Sequence, residues 1–271
     1  MTRSRAGVLW EHGRAMSPAF AAQPLDLERL RRALVRAGRR LGARGLISAS
    51  EGNVSVRLDA GTLLVTPSGR RKDELEPQDV LEVGLASDAD AWPAMPYGSP
   101  GLRPTSDLAI HRAIYAARSD VLAVVHAHLP ASMALTLAGE TPDPAVLPET
   151  ALLIPRLPLI PFDPPGSASL AAGVATALAA EPAPFPGAVL LERHGAVAVG
   201  AADAGIDDAT ELRTRAVDQA LDRLELVEVL CRTWRDALLI GAAVRGGDGR
   251  DILRAPSPRP GTPAGGRGKQ P

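Results

Sequence analysis

The chain is poor in several residue types, and each scarcity excludes a class of protein. It has one cysteine, Cys231, so an intrachain disulfide framework and a cysteine-based zinc site are both excluded, and a reducing cytoplasm is favoured. Aromatic residues make up only 3% of the chain, lysine occurs only at Lys72 and Lys269, and the net charge is −1. The chain has no excess of positive charge to attract nucleic acid or an anionic membrane surface, so neither partner is expected.

Long apolar runs are also lacking: none approaches the roughly 18 residues that suggest a membrane span. Near the N-terminus, Glu11, His12 and Arg14 interrupt any apolar segment. We therefore expect residues 1–24 to be a flexible cytoplasmic extension rather than a secretion signal. Residues 245–271 are rich in glycine and proline, which predicts a disordered tail. Between them, residues 25–244 are expected to form a single α/β domain, because the chain is 45% hydrophobic.

Hydrophobic periodicity predicts the elements of this domain. Leucines recur on one helical face of residues 25–41, with Asp26 as the N-cap, and residues 207–240 form the longest periodic segment, with Cys231 in the core. A helix is expected to follow the cap at Thr105 or Ser106. Another helix is expected near 167–180, a surface loop over 86–104, and strands or extended segments near 54–58, 62–66, 79–84, 121–128, 155–162 and 188–200.

Two of the five histidines stand two residues apart in the apolar stretch VVHAHLP. Residues two apart in a strand point to the same face, so His126 and His128 could hold a divalent metal together. His194, in a turn before Gly195, and Asp107, in the first turn of a helix, would complete a site for Zn²⁺, with Mn²⁺ or Co²⁺ as substitutes. Ordinary core or surface histidines remain the alternative. His111 either packs under the site or hydrogen-bonds to Asp107.

Three turns carry small residues that expose their backbone N–H groups: EGN at 51–53, TPSG at 66–69 and PTS at 104–106. The third turn opens a helix, whose N-terminus attracts phosphate. If the turns converge, their amides and hydroxyls would form a phosphate cradle that needs no lysine. Each turn alone is a common turn sequence, so the alternative is three unrelated loops.

The motifs EGNVSVRL, TPSG, PTSDLAIHRAIY, VLAVVHAHLP and LLERHGAVAVG occur in this order, and together they resemble the class II aldolase/adducin family. The resemblance covers residues 27 to 240. It implies a three-layer α/β/α fold with a mainly antiparallel central sheet and a homotetramer. It also implies that His126, His128 and His194 bind zinc. The residues that it implies for a substrate phosphate are Gly52, Asn53, Ser68, Gly69, Thr105 and Ser106.

The sequence departs from the family pattern in its acid/base residues. Asp107 stands where the aldolases usually have an acid/base glutamate and the epimerases have a metal-binding aspartate. The tyrosines that these enzymes use have no counterpart, since the chain contains only Tyr97 and Tyr115. Glu149, in the loop PDPAVLPETALLIP, is the candidate for a second acid/base, and a solvated loop charge is the alternative. Asp107 and Glu149 are therefore the candidate catalytic residues.

The function that this pattern predicts is a metal-dependent, aldolase-type carbon–carbon lyase. Its substrate would be a small, phosphorylated keto sugar or sugar acid that reacts through a metal-stabilised enediolate. Epimerisation and decarboxylation of a 3-oxo acid share that intermediate. A sugar-phosphate 4-epimerase of the ribulose-phosphate type is the alternative enzyme. A non-catalytic interaction module resembling the adducin head is the alternative of another class.

Overall fold

The computed structural model describes residues 24–86, 101–179, 185–201 and 205–245. Most of the 86–104 loop and all but one residue each of the expected extension and the expected tail lie outside these residues, so the domain boundaries stay a prediction. The helices are α1 (Leu27–Ala43), α2 (Leu108–Ala117), α3 (Pro130–Leu137), α4 (Pro148–Leu153), α5 (Ala168–Ala177) and α6 (Ala209–Arg245). The strands are β1 (Asn53–Arg57), β2 (Thr62–Val65), β3 (Leu81–Gly84), β4 (Val121–Ala127), β5 (Leu159–Ile160), β6 (Ala188–Leu191) and β7 (Gly195–Ala201).

The seven strands form one sheet in the order β3-β2-β1-β4-β7-β6-β5. Every neighbouring pair is antiparallel except β5 and β6, which are parallel. The expected mainly antiparallel sheet is therefore confirmed. β4 lies at the centre of the sheet between β1 and β7. Asn53 of β1 lies opposite His126 of β4.

Alternate residues of the strands bury against helices on opposite faces of the sheet. On β4, Val125 and Ala127 belong to a core cluster that includes residues of α1 and α6. Val124 belongs to a second cluster that includes Ile110 of α2 and Leu170 of α5. Because side chains alternate along a strand, His126 shares the face of Val124. The three-layer α/β/α fold is confirmed, and His126 projects towards the layer that contains α2.

The predicted N-cap of α1 and the predicted burial of Cys231 are both confirmed. The Asp26 carboxylate accepts a hydrogen bond from the Arg29 N–H at 2.9 Å. Cys231 is fully buried on α6, and burial raises the pKa of its thiol to about 12, so it is an unreactive core residue. None of the described helices combines the length and the apolar character that a bilayer span requires.

Two local predictions were wrong. The N-cap of α2 is Asp107, not Thr105 or Ser106, and its carboxylate makes no capping bond because it accepts from Asn53 instead. The segment around Glu149 is not a loop, since Pro148–Leu153 forms α4. A proline in the first turn begins both α3 and α4, where its missing N–H costs nothing and its fixed φ suits the helix.

Candidate metal site

The three histidines predicted to bind metal come together at one end of the central strands. His126 lies near the end of β4, His128 just after it, and His194 in the turn between β6 and β7. One ring nitrogen from each lies within 4.8 Å of the others. The ring centroids are 4.8 to 5.0 Å apart. The structure therefore assembles from distant parts of the chain the cluster that the sequence predicted.

The turn that carries His194 depends on backbone conformations that few residues adopt. Arg193 has φ 60° and Gly195 has φ 104°. A Cβ on Gly195 would lie 2.1 Å from the carbonyl oxygen of Ala127 and 2.8 Å from the Cα of His128. Only glycine permits this approach, and the approach brings His194 against His128.

His126 is oriented as a metal ligand would be. Its Nδ1 lies 3.0 Å from the carbonyl oxygen of Ala196, an acceptor, so Nδ1 carries the hydrogen and Nε2 keeps a lone pair. Nε2 is buried and has no hydrogen-bond partner, and neither has Nδ1 of His194. Burial lowers the pKa of His126 to about 3 and lowers that of His194, which keeps both rings in the neutral, metal-binding form.

Asp107 places a carboxylate beside this cluster. The side chain is buried, and its Oδ2 lies 3.9 Å from Nε2 of His126. Asn53 donates from its amide nitrogen to the same Oδ2 at 2.9 Å, whereas Oδ1 is buried without a partner. Burial alone would raise the pKa of Asp107, but the pKa is lowered, with the hydrogen bond from the Asn53 amide favouring the charged form, so the carboxylate stays ionised.

These residues fit a divalent ion. Buried polar atoms normally have partners, and here three unpartnered atoms of His126, His194 and Asp107 belong to one site. Imidazole and carboxylate together suit Zn²⁺, Mn²⁺ or Co²⁺. The hydrogen bond from His126 to a backbone carbonyl is the usual support of a metal-binding histidine.

The structure also links the three glycine- and serine-rich turns. Lys72 is 1% exposed, and its ammonium group donates to the carbonyl oxygens of Ser50 and Arg70, both at 2.7 Å. This ties the first turn to the second. The second joins the third through a bridge between Pro67 and Pro104. Lysine was not expected to be needed here, yet Lys72 holds two of the turns together.

The six residues expected to contact a phosphate differ in which backbone or side-chain groups could make that contact. Gly52 has φ 72° and lies against the carbonyl oxygen of His126, and Gly69 has φ 69°. The Ser68 N–H donates to Arg103 at 2.8 Å, but its side chain is exposed, as is Ser106. The Thr105 hydroxyl accepts from the Asp107 N–H at 3.2 Å.

Asn53 departs most from its expected role as a phosphate ligand. Its amide nitrogen donates to Asp107 and its amide oxygen contacts His111 at 2.6 Å. The Asn53 side chain is thus engaged in supporting the acidic residue, and only its backbone remains for a phosphate.

Two further carboxylates, Glu149 and Glu51, differ in how they relate to the histidine cluster. Glu149 is exposed in the first turn of α4 and is not a member of the three-histidine cluster. Glu51, which sequence reasoning did not single out, has its Oε1 3.4 Å from Nδ1 of His128 and accepts the Ser48 N–H through Oε2 at 2.9 Å. Its position directly before Gly52 in the first turn was the available signal.

A three-layer α/β/α fold that brings three histidines and an ionised carboxylate together at one end of its sheet is typical of a metal-binding enzyme. The model of the class II aldolase and adducin N-terminal domain matches residues 32–235. The chain therefore belongs to the class II aldolase/adducin family, and the resemblance read from its motifs is confirmed.

Curated relatives of this chain catalyse different reactions. A 3-oxo-tetronate 4-phosphate decarboxylase of Cupriavidus necator is 39% identical over 173 residues, which cover 62% of this chain and 73% of the relative. A methylthioribulose-1-phosphate dehydratase of Acidiphilium cryptum is 35% identical over 178 residues, covering 62% of this chain and 79% of the relative. Family membership therefore does not by itself choose among these reactions.

Among solved structures, L-fuculose-1-phosphate aldolase from Thermus thermophilus superposes with a TM-score of 0.64 and is 29% identical. The match covers 79% of this chain and 97% of the aldolase. The sheet and helix layers described above are thus those of a family enzyme.

Proposed function

We propose that this protein is a metal-dependent carbon–carbon lyase that acts on a small, phosphorylated 3-oxo sugar acid, with decarboxylation as its reaction. The observation that carries the proposal is the cluster of His126, His128 and His194 facing the ionised carboxylate of Asp107. The 39% identity to a 3-oxo-tetronate 4-phosphate decarboxylase supports the substrate class.

The three histidines would hold the ion, with Asp107 as a fourth ligand or as a neighbour in contact with the substrate. A bound divalent ion supplies Lewis-acid stabilisation of the negative charge that develops on the substrate oxygens. His126 contributes a lone pair whose direction is set by the Nδ1–H bond to Ala196. Burial of the site strengthens the electrostatic interactions made inside it.

The linked turns would bind the phosphate and so orient the reacting end of the substrate. Ser68 and Ser106 offer exposed side chains, and Gly52 and Gly69 offer close approach of the backbone. The ammonium group of Lys72 lies under two of these turns and adds a positive charge to them. Contacts with a remote phosphate contribute binding energy that is used for orientation at the reacting carbon.

The shortage of acid/base groups favours decarboxylation over aldol cleavage. Aldol cleavage needs a proton removed from a hydroxyl and a proton delivered to carbon, whereas decarboxylation needs only the delivery, because the departing CO₂ leaves its electron pair on carbon. Tyr115, the one tyrosine in the described residues, is buried and bonded to Ser55. Glu149 remains our candidate for the proton donor.

Dehydration is the second candidate, supported by the 35% identity to a methylthioribulose-1-phosphate dehydratase. Aldol cleavage and 4-epimerisation would use the same ion and are outcomes of the test below. The intact histidine cluster speaks against a non-catalytic module resembling the adducin head. We further propose that the protein works in the cytoplasm as a homotetramer.

The first experiment is elemental analysis of protein purified without chelator, with His128→Ala as the test variant and His12→Ala as the histidine control. We expect about one Zn²⁺, Mn²⁺ or Co²⁺ per chain in the wild type and the control, and its loss in His128→Ala, since three histidines normally complete such a site. A wild type that stays metal-free after incubation with Zn²⁺ or Mn²⁺ would overturn the proposal. That result would favour the non-catalytic interaction module.

The second experiment separates the reactions with three substrates. CO₂ release from 3-oxo-tetronate 4-phosphate is expected. Loss of water from methylthioribulose 1-phosphate without CO₂ release would favour the dehydratase. Aldehyde release from L-fuculose 1-phosphate would favour the aldolase. Conversion of the same substrate into an isomer with an unchanged carbon count would favour the epimerase.

A further inference from the structure

Four buried polar side chains connect Asp107 to the interior of the protein. Asn53 donates to Asp107 at 2.9 Å and contacts Nε2 of His111 at 2.6 Å through its amide oxygen. Nδ1 of His111 lies 2.6 Å from the Ser55 hydroxyl, which lies 2.8 Å from the Tyr115 hydroxyl. All four are at most 3% exposed. We call Asn53, His111, Ser55 and Tyr115 the Asp107 relay.

The relay follows from the periodicities of two elements. Asn53 and Ser55 are two residues apart on β1 and so share one face of the sheet. Asp107, His111 and Tyr115 are spaced by four residues along α2 and so share one stripe of the helix. The two rows face each other, which lets each strand residue bridge two helix residues.

Donor and acceptor chemistry permits one direction along the relay. An ionised carboxylate only accepts, so Asn53 turns its NH₂ to Asp107 and its carbonyl to His111. That carbonyl only accepts, so His111 carries its hydrogen on Nε2. With a neutral ring, which burial favours by lowering the pKa of His111 to about 4, Nδ1 accepts from Ser55. Ser55 then accepts from Tyr115.

This order determines how Asn53 meets Asp107. Without His111, the Asn53 amide oxygen would lose its donor, and only the bond to Asp107 would hold the amide in place. With His111 in place the amide is held at both ends, and its nitrogen holds Oδ2, the oxygen that lies 3.9 Å from Nε2 of His126. A buried polar row is costly to desolvate, and apolar side chains could fill the same space between β1 and α2. Its role is therefore better explained by what it does to Asp107 than by stability.

We propose that His111, Ser55 and Tyr115 are positioning residues, which act through Asn53 to fix the orientation of the Asp107 carboxylate during the reaction. This inference rests on the proposed function for its kinetic consequence. Its structural consequence, a fixed Asn53 amide, holds for the metal-free protein as well.

The kinetic test compares His111→Leu, His111→Gln and Tyr115→Phe, with 3-oxo-tetronate 4-phosphate as substrate. The leucine variant is expected to keep its metal, because the three ligands are untouched, and to lose about 10–100-fold in kcat with KM changed less than about threefold. Glutamine can donate to the Asn53 oxygen and is expected to recover most of that loss. Tyr115→Phe, at the far end of the relay, is expected to lose less than His111→Leu.

The metal-free test records the side-chain amide signals of Asn53 by ¹H–¹⁵N NMR in protein treated with chelator. Two separate, shifted amide protons are expected in the wild type and in His111→Gln, with exchange broadening in His111→Leu. If His111→Leu does not fold, Ser55→Ala tests the same link from the other side of the ring.

The outcomes separate the two proposals. Absence of metal or of lyase activity in the wild type would remove the proposed function and leave the NMR result to judge the relay. Unchanged Asn53 signals in the leucine variant, or a kcat loss that glutamine does not recover and that tracks the loss of thermal stability, would overturn the relay.

Discussion

Several residues at or near the site have roles that the neighbouring sequence did not predict. Asn53 stands in a turn typical of phosphate binding, yet its side chain bonds to Asp107 and His111. Glu51, one residue before Gly52, reaches His128. Lys72, one of two lysines in the chain, is buried and bonded to two backbone carbonyls. Each of these roles depends on at least one partner 22 or more residues away along the chain.

The burial of Lys72 has a consequence for the pH dependence of stability. Burial lowers its pKa from 10.5 to about 8. Between these values the unfolded chain binds the proton more tightly, so the free energy of unfolding rises with pH in that window and is insensitive to this group below it. We expect wild type to gain stability relative to Lys72→Met between pH 8 and 10, in denaturant titrations of metal-free protein.

Lys269→Met is the matched control for this experiment, since it removes the other lysine, and it should show no such pH-dependent difference. A difference between wild type and Lys72→Met that stays constant from pH 6 to 10 would contradict the lowered pKa.

The two carboxylates at or near the site can be separated by paired variants. Carboxylates that contact metal-binding histidines orient the ring, and their loss typically weakens metal affinity or activity by about 10–100-fold. We expect Glu51→Gln to weaken metal binding in competition with a chromophoric chelator. We expect Glu149→Gln to keep metal affinity and to lower kcat if Glu149 delivers the proton. Unchanged kcat in Glu149→Gln would leave it a solvated charge.

At the scale of elements, the site depends on where strands end and how turns close. β4 presents His126 at its end and His128 just beyond it, and the β6–β7 turn brings in His194 because Gly195 adopts a positive φ. α2 contributes Asp107 from its N-cap position. The residues of the site thus lie at element ends held by a buried sheet, a usual arrangement for catalytic groups.

Gly195→Ala tests this dependence. The added Cβ would lie 2.1 Å from the Ala127 carbonyl, so the turn must move away from β4. We expect loss of metal binding and a decrease of roughly 3 kcal/mol or more in the free energy of unfolding, measured by denaturant titration. Gly139→Ala is the control, because Gly139 also has a positive φ, 73°, but nothing lies within 4 Å of an added Cβ.

The control variant is expected to lose only about 1–2 kcal/mol, from backbone strain. Equal losses in the two variants, with metal binding retained in Gly195→Ala, would mean that close packing of the turn does not build the site.

At the scale of the whole molecule, large apolar side chains remain exposed on two helices that contact each other. Leu152 on α4 is 78% exposed, and Leu239 on α6 is 64% exposed. Apolar side chains exposed on neighbouring elements can together form a protein–protein interface. They are consistent with the proposed homotetramer.

Charge introduced at these positions should weaken the assembly. We expect wild type to elute as a tetramer in size-exclusion chromatography with light scattering, and Leu152→Arg or Leu239→Arg to shift the distribution to smaller species. Gln78→Arg, an exposed polar position, should leave the tetramer intact. A monomeric wild type would refute the tetramer.

Much of this protein can be read from local sequence. The strand that leads to His126 and His128 and the buried stripe around Cys231 follow from hydrophobic periods, and the cap at Asp26 follows from a helix-start signal. Both kinds of pattern depend on neighbouring residues alone. The family motifs likewise identified the three histidines that the structure brings together. α4 escaped prediction because its six residues give too short a pattern to distinguish a helix from a loop.

The sequence alone was enough to predict the fold class and to identify the three histidines of the cluster, because periodicity and motif order are properties of the chain itself. Tertiary structure decided which groups meet them. Glu51, Asn53, His111 and Lys72 acquired their roles only when β1, α2 and the turns packed against β4. Hydrogen-bond partners are set by distances of about 3 Å between atoms that the chain order does not relate.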